Sequence, residues 1–175
     1  LARGGVTANQ VTLRAAILTI AVGACLALRP DSRAALAAVP AVLFLRMAMN
    51  AIDGMLAREH GMKSRLGAML NEIGDVVSGA ALYLPFALVP GLPAALVTLI
   101  VLLSVISEMT GVVAVQIGAS RRYDGPMGKS DRAFAFGLLA LLLACGVTVG
   151  PWSTLLLSVI AVLLILTIAN RGRRA

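Results

Sequence analysis

Two short stretches, residues 50–58 and 67–75, place polar side chains and glycines inside otherwise apolar sequence. At about 100° per residue, the polar residues of each stretch fall on one face of a helix. These faces carry two amides and two carboxylates: Asn50, Asp53, Asn71 and Asp75. If the intervening residues 59–66 form a hairpin loop, the two faces meet. The spacing therefore predicts a compact, oxygen-rich pocket, and polar groups are so costly in apolar segments that the pocket should be functional.

Oxygen ligands of this kind suit a hard cation such as Mg²⁺, or Mn²⁺ in its place. Such an ion is usually held by a few carboxylates together with substrate phosphates and water. Gly54 and Gly67 lack Cβ atoms, so a ligand can approach the backbone closely at both positions. These residues therefore favour the binding of a metal ion together with a diphosphate.

The spacing of these residues resembles the signature of the CDP-alcohol phosphatidyltransferase family. The sequence reads Asp-Gly-x-x-Ala-Arg, then eight residues, then Gly, with acidic positions after it. The matching residues are Asp53, Gly54, Ala57, Arg58, Gly67 and Asp75. The full family pattern has four Asp, and Asn50 and Asn71 stand at the first and third of these positions. The chain therefore departs from the family at half of its carboxylates.

The resemblance implies a role for each matching residue. Asp53 and Asp75 would be catalytic, with Asp53 holding the metal on the CDP diphosphate and Asp75 acting as general base for an acceptor hydroxyl. The implied metal ligands are Asp53, Asp75, Asn50 and Asn71. The implied nucleotide-binding residues are Asn9, Thr12, Gly54, Ala57, Arg58 and Gly67. Among these, Arg58 is expected to orient a carboxylate.

The segment before the first apolar run, residues 7–13, has two interpretations. Its Thr and Asn side chains could simply cap a helix. Alternatively, Asn9 and Thr12 match the Pro-Asn-x-x-Thr segment of the family, with Ala8 in place of the Pro, and would then contact the nucleotide. The residues alone leave both interpretations open.

The most polar stretch of the chain, residues 121–132, also has two interpretations. It could be a solvated loop. It also resembles the Gly-Lys loop that follows the fourth span in family members, and Lys129, Arg121 and Arg122 would then receive an anionic acceptor such as a phosphorylated polyol. It is not a phosphate-binding P-loop. That motif needs four residues between its first Gly and the Gly-Lys pair, and it follows a β-strand, and this stretch meets neither condition.

The composition indicates an integral membrane protein. Of 175 residues, 59% are hydrophobic and only 13% are charged, which is too apolar for an ordinary soluble domain. The net charge of +7 does not indicate nucleic-acid binding, because the basic residues form short clusters with almost no aromatic residues among them. We predict an all-α, polytopic membrane protein of one domain, residues 1–175. Its six transmembrane helices are expected over residues 11–28, 34–57, 66–89, 93–119, 133–149 and 151–170.

The distribution of basic residues predicts the orientation. With six spans, twelve basic residues share the side of both termini, and only Arg29 and Arg33 lie on the other side. The twelve are Arg3, Arg14, Arg58, Lys63, Arg65, Arg121, Arg122, Lys129, Arg132, Arg171, Arg173 and Arg174. Because basic residues accumulate on the cytoplasmic side, the termini and the active site should face the cytoplasm from the inner membrane.

The remaining polar and reactive residues give weaker signals. Arg46, inside a span, could snorkel or pair with a carboxylate, for which Glu108 is one candidate. Cys25 and Cys145 lie far from any His and are expected to be inert, and His60 is expected to be solvated.

The start of the chain also leaves alternatives. Because the sequence begins with Leu1 rather than Met, we expect it to be trimmed. Residues 15–28 could form a signal-peptide core, but the many spans that follow favour a first transmembrane helix.

The resemblance assigns the function. It implies an enzyme of phospholipid biosynthesis that transfers a substituted phosphate from a CDP-alcohol, foremost CDP-diacylglycerol, to a small polar alcohol and releases CMP. It also implies a homodimer in the lipid bilayer. A non-catalytic CDP-lipid-binding or scaffold protein is the main alternative, because two carboxylates are missing. A small transporter is disfavoured because the sequence shows no repeated halves.

Overall fold

The computed structural model describes residues 7–175, which form six α-helices and one short 3-10 helix. The α-helices are α1 (Ala8–Leu28), α2 (Arg33–Glu59), α3 (Arg65–Tyr83), α4 (Ala94–Gln116), α5 (Lys129–Ala144) and α6 (Pro151–Arg174), and the 3-10 helix (Leu84–Leu88) continues α3. The prediction of an all-α chain is confirmed. Arg3, which the orientation prediction used, lies outside the described residues.

The first three helices each begin at a hydroxyl side chain that accepts a hydrogen bond from a free backbone N–H. Ser32 and Ser64 cap α2 and α3 through Ala35 N and Gly67 N. Thr7 caps α1 by accepting from Gln10 N, and the Gln10 side chain accepts from Thr7 N in return. The cap of α1 is therefore Thr7, which leaves the side chains of Asn9 and Thr12 available for other contacts.

The helices pack in pairs around one large apolar core. α1 packs against α2 and α3, α2 packs against α5, and α4 packs against α6. Tyr83 and Phe86 at the end of α3 both contact Phe136 of α5, with ring centroids 4.3 Å and 5.2 Å apart. These rings join the end of α3 to α5, and so they fix the C-terminal half of α3 relative to the loop before α5.

Four of the six helices are long and apolar enough to cross a membrane, namely α1, α2, α4 and α6. α5 has only 16 residues, and α3 carries Glu72 and Asp75 within its 19 residues. About 20 apolar residues are needed to span a bilayer. Each of the six predicted spans is therefore confirmed as a helix in residues 7–175, but only four of these helices are candidate membrane spans.

The fifth predicted span is displaced along the sequence. It was expected over residues 133–149, whereas α5 runs from Lys129 to Ala144. It starts earlier because Asp131 in the first turn accepts a hydrogen bond from Gly128 N at 2.8 Å. It ends earlier because Gly146 adopts a positive φ of 91°, which stops a helix.

Candidate active site

A cavity of about 400 Å³ lies where α1, α2 and α3 approach one another. Its lining includes eight of the residues that the sequence analysis singled out: Asn9, Thr12, Asn50, Asp53, Gly54, Ala57, Gly67 and Asn71. We call it the α1–α3 cavity. The prediction that the polar faces of α2 and α3 meet is correct for this cavity, and α1 contributes a third wall to it.

Asp53 is fixed in the α1–α3 cavity by a neighbour on α1. The Thr12 hydroxyl donates to Asp53 Oδ2 at 2.7 Å, and Asp53 itself is 7% exposed. This contact links residues 41 positions apart in the sequence. Thr12 therefore acts on the carboxylate directly, a contact that neither interpretation of residues 7–13 had included.

The two glycines of the motif leave space for neighbours or a ligand. A Cβ atom at Gly67 would lie 2.7 Å from Asn9 Oδ1 and 2.9 Å from Ser64 Oγ. A side chain at this position would displace the Asn9 amide. A Cβ atom at Gly54 would meet only Arg58 Nη2, at 3.6 Å. Since Gly54 lines the cavity, a side chain there would fill space that a ligand could use.

Asp75 lies outside the α1–α3 cavity and is surrounded by nitrogen donors. Arg46 Nη2 donates to Asp75 Oδ1 at 3.0 Å, and Lys129 forms an ion pair with Asp75 Oδ2. Asn50 Nδ2 also donates to Oδ1, at 3.4 Å. Arg46 therefore pairs with Asp75, and the pairing with Glu108 that the sequence offered is wrong.

The structure thus divides the single predicted pocket in two. Asp75 lines a second cavity of about 320 Å³ between α3, α4, α6 and the loop before α5, which we call the loop cavity. Asn71 lines both cavities, so it stands where they meet. One carboxylate, Asp53, serves the first cavity, and the other, Asp75, serves the second.

The donor set fits one divalent cation better than two. No group of three His, Cys, Asp or Glu side chains able to hold a metal occurs among residues 7–175. Both oxygens of Asp75 already accept from cations, so Asp53 is the carboxylate that remains beside the amides of Asn50 and Asn71. One carboxylate and two amide oxygens suit an ion that shares its remaining ligands with a diphosphate and water.

Glu108 is the centre of an ionic cluster that the sequence analysis did not find. Its two oxygens contact Arg132 Nη2 at 2.7 Å, Arg121 Nη2 at 3.0 Å and Arg171 Nη1 at 3.6 Å. A Glu inside an apolar helix was the available signal, but its three partners come from α5, α6 and the loop between α4 and α5. Only the tertiary structure brings these together.

Arg121 is held by two carboxylates at the wall of the loop cavity. Glu72 accepts from Arg121 Nε at 3.0 Å and from Nη2 at 2.8 Å, and Glu108 accepts from Nη2. Burial lowers the pKa of Arg121, but the bonds and charges of Glu72 and Glu108 outweigh it and hold the pKa above its ordinary value. Gly111 makes room for this guanidinium, since a Cβ there would overlap Arg121 Nη1.

Two predicted site residues lie elsewhere. Arg58 donates to the backbone oxygen of Gly54 at 3.1 Å, and it forms no ion pair with a carboxylate in residues 7–175. The role of Arg58 in orienting a carboxylate therefore stays a prediction. Arg122 does not line the loop cavity with Arg121 and Lys129, and its backbone N–H bonds to Gly111 O.

Fold and site together define a class: an α-helical membrane protein with a polar cavity between its first three helices, lined by one carboxylate and several amides. The family model of CDP-alcohol phosphatidyltransferases matches residues 5–170. The chain belongs to this family, and it is a transferase of phospholipid biosynthesis that acts on CDP-alcohols.

The chain is also similar in sequence to a bacterial membrane protein and in fold to a solved synthase. The inner membrane protein YnbA of Escherichia coli is 47% identical over 168 residues, which cover 96% of this chain and 83% of that protein. The fold is similar to the phosphatidylinositol phosphate synthase of Mycobacterium tuberculosis with CDP-DAG bound, with a TM-score of 0.83 and 20% identity over 99% of this chain and 88% of that one. The same synthase in complex with manganese and citrate has a TM-score of 0.81, 21% identity, and coverage of 99% and 84%. The chain is an integral membrane protein.

Proposed function

We propose that this transferase uses CDP-diacylglycerol as its donor and passes the phosphatidyl group to the hydroxyl of a small polar alcohol. The observation that carries this proposal is the connection between the α1–α3 cavity and an apolar groove. The neighbouring synthase with CDP-DAG bound supports the same donor.

The groove is reached through Asn50, which lines both the α1–α3 cavity and a smaller cavity of about 170 Å³. Beyond the latter lies a groove of about 500 Å³ between α2 and α5. Its walls are mostly apolar and include Phe44, Met47 and Phe134. A polar cavity that continues into an apolar groove fits a lipid nucleotide: the cavity would receive the nucleotide head, and the groove between α2 and α5 would receive the acyl chains.

The two carboxylates have separate tasks in this scheme. The acceptor hydroxyl enters the loop cavity beside Asp75, which takes its proton as general base. The acceptor oxygen forms a bond to the phosphorus that carries diacylglycerol, the bond from that phosphorus to the bridging oxygen breaks, and CMP leaves with the electron pair. Arg46 and Lys129 orient the Asp75 carboxylate.

A divalent cation, Mg²⁺ or Mn²⁺, would be held by Asp53 with the amide oxygens of Asn50 and Asn71. When bound, it neutralises charge on the diphosphate and orients it for in-line attack. Thr12 keeps the Asp53 carboxylate in place, and Asn9, Gly54, Ala57 and Gly67 provide space and polar contacts for the nucleotide. Arg58 and Arg122 have no assigned contact with a substrate.

The chain is proposed to cross the inner membrane six times, with α3 and α5 completing the four longer spans and with both termini and the site on the cytoplasmic side. The positive charge of the α2–α3 loop, the α4–α5 loop and the end of α6 supports this orientation. A homodimer is proposed from the family resemblance. One domain is proposed to include all of these helices.

The deciding experiment is CDP-diacylglycerol-dependent release of CMP by the purified protein, measured with a panel of alcohols and with Mg²⁺ or Mn²⁺. We expect release that needs both an alcohol and a divalent cation. If the protein binds CDP-diacylglycerol but releases no CMP with any alcohol, it is instead a non-catalytic lipid-binding protein. The absence of carboxylates at positions 50 and 71 favours this alternative.

A further inference from the structure

The walls of the loop cavity carry no excess of positive charge, which bears on the acceptor that the cavity can take. Seven charged side chains line it: the carboxylates Glu72, Asp75, Glu108 and Asp131 and the cations Arg121, Lys129 and Arg171. Arg132, directly behind the wall, brings the balance to four against four. A cavity specialised for a phosphate would show an excess of cations.

The cations of this cavity are already engaged by the protein. Arg121 uses its Nε and Nη2 on Glu72 and Glu108 and its Nη1 on Arg122 O. Arg171 is 1% exposed and donates to Ser107 O at 2.5 Å.

Lys129 is the most exposed of the three cations, and it is paired with Asp75. A phosphate would have to break these ion pairs, and it would leave carboxylates without partners in a partly buried site.

The groups that remain free at the cavity are acceptors of hydrogen bonds. The Glu72 side chain is 35% exposed, and Asp131 uses only Oδ2, on Gly128 N. Carboxylates accept hydrogen bonds from hydroxyl and ammonium groups, but they repel a phosphate monoester, which carries a charge of about −1.5 to −2 at pH 7.

From these contacts we infer that the acceptor alcohol carries no phosphate: it is a neutral polyol or an amino alcohol. The anionic acceptor was one of two interpretations of residues 121–132, and it considered their cations without the carboxylates that pair with them. Arg122, one of those three cations, lies outside the cavity. This inference rests on the proposed function, because it names the acceptor class of the same site.

The first test compares matched acceptors that differ by one phosphate: glycerol with glycerol 3-phosphate, inositol with inositol 1-phosphate, and ethanolamine with phosphoethanolamine. Release of CMP from CDP-diacylglycerol is measured for each. We expect kcat/KM to be at least tenfold higher for the unphosphorylated member of whichever pair is used. A higher kcat/KM for the phosphorylated member would overturn the inference.

The second test changes the charge of the wall. Glu72→Gln removes one partner of Arg121 and should raise kcat/KM for the phosphorylated member relative to its unphosphorylated counterpart by about tenfold, equivalent to about 1.4 kcal/mol. Glu59→Gln, at an exposed position at the end of α2, is the matched control and should leave the ratio unchanged. An unchanged ratio in Glu72→Gln would contradict the proposed role of the carboxylate.

A binding measurement separates this inference from the proposed function. Glycerol 3-phosphate is titrated into wild type, Glu72→Gln and Lys129→Ala in lipid nanodiscs, with ³¹P NMR line broadening as the readout. We expect saturable binding in Glu72→Gln and none in wild type. Binding by wild type that Lys129→Ala removes would overturn the inference even without turnover, whereas absence of CMP release with every alcohol would sink the proposed function alone.

Discussion

At the residue scale, the two carboxylates have different surroundings. Asp53 is held by a hydroxyl, whereas Asp75 is held by two cations and an amide. This division suits a metal ligand in one position and a base in the other. A carboxylate that must receive a proton from an alcohol needs neighbours that keep it oriented, and Arg46 supplies that through a 3.0 Å bond.

We predict that Asp75→Ala lowers the rate of CMP release by about 10²–10⁴-fold, the usual contribution of a general base. Asp53→Ala should abolish release, because the diphosphate loses its charged anchor. The controls are Cys25→Ala and Cys145→Ala, both of which are exposed, line neither cavity and are expected to retain the wild-type rate. Substantial turnover in both Asp variants would remove the proposed site.

The amides at positions 50 and 71 predict weak metal binding without nucleotide. Two divalent ions carry four positive charges, whereas Asp53 is the one charged group among the proposed ligands, and the nearby Asp75 is already paired with Arg46 and Lys129. We expect a Mn²⁺ titration to show weak binding of one ion that CDP strengthens. The double variant Asn50→Asp with Asn71→Asp should bind the ion more tightly in the absence of CDP. Tight binding of two ions by wild type without nucleotide would contradict this charge argument.

At the scale of elements, α1 is positioned by its close approach to α3. A Cβ atom at Gly23 would overlap the backbone oxygen of Ala81, so the two helices come nearer than any larger residue allows. Because α1 also carries Thr12 and Asn9, this crossing sets how far their side chains reach toward Asp53 and Gly67. The close approach at this glycine is thus one of the contacts that hold α1 beside α3.

We predict that Gly23→Ala lowers the thermal stability of the purified protein, at a cost of about 1–3 kcal/mol for an overpacked contact with rigid backbone. The matched control is Gly74→Ala, a helical glycine of α3 whose Cβ would meet nothing within 4 Å. The control should be neutral or stabilising by about 0.5–1 kcal/mol. The measurement is the unfolding temperature in detergent. Equal temperatures for the two variants would show that α1 and α3 do not pack as described.

At the scale of the whole molecule, the proposed six-span topology places the site on the cytoplasmic side of the membrane. We predict that, in a variant lacking Cys25 and Cys145, His60→Cys is labelled by a membrane-impermeant thiol reagent only from the cytoplasmic side. Asp31→Cys, in the loop between α1 and α2, should be labelled only from the opposite side. The readout is labelling of intact and permeabilised cells. Labelling of both positions from one side would exclude the proposed six-span topology.

The sequence by itself determined the composition of the fold and most of the first cavity. Apolar runs of sufficient length predict helices, and a helix repeats every 3.6 residues, so the polar faces of α2 and α3 follow from local spacing alone. The motif residues Asp53, Gly54, Ala57 and Gly67 all line the α1–α3 cavity. Helix formation and the residues that share a helical face depend on residues close together in the sequence, so they can be predicted from the sequence alone.

Only the tertiary structure decided which charges meet. The partner of Asp75 is Arg46 together with Lys129, 54 residues away, and Glu108 gathers three arginines from separate elements. Such pairings depend on how helices distant in the sequence pack against one another. A sequence shows that buried charges need partners, because burying an unpaired charge is costly. Which partner each one has is decided by the packing of distant segments.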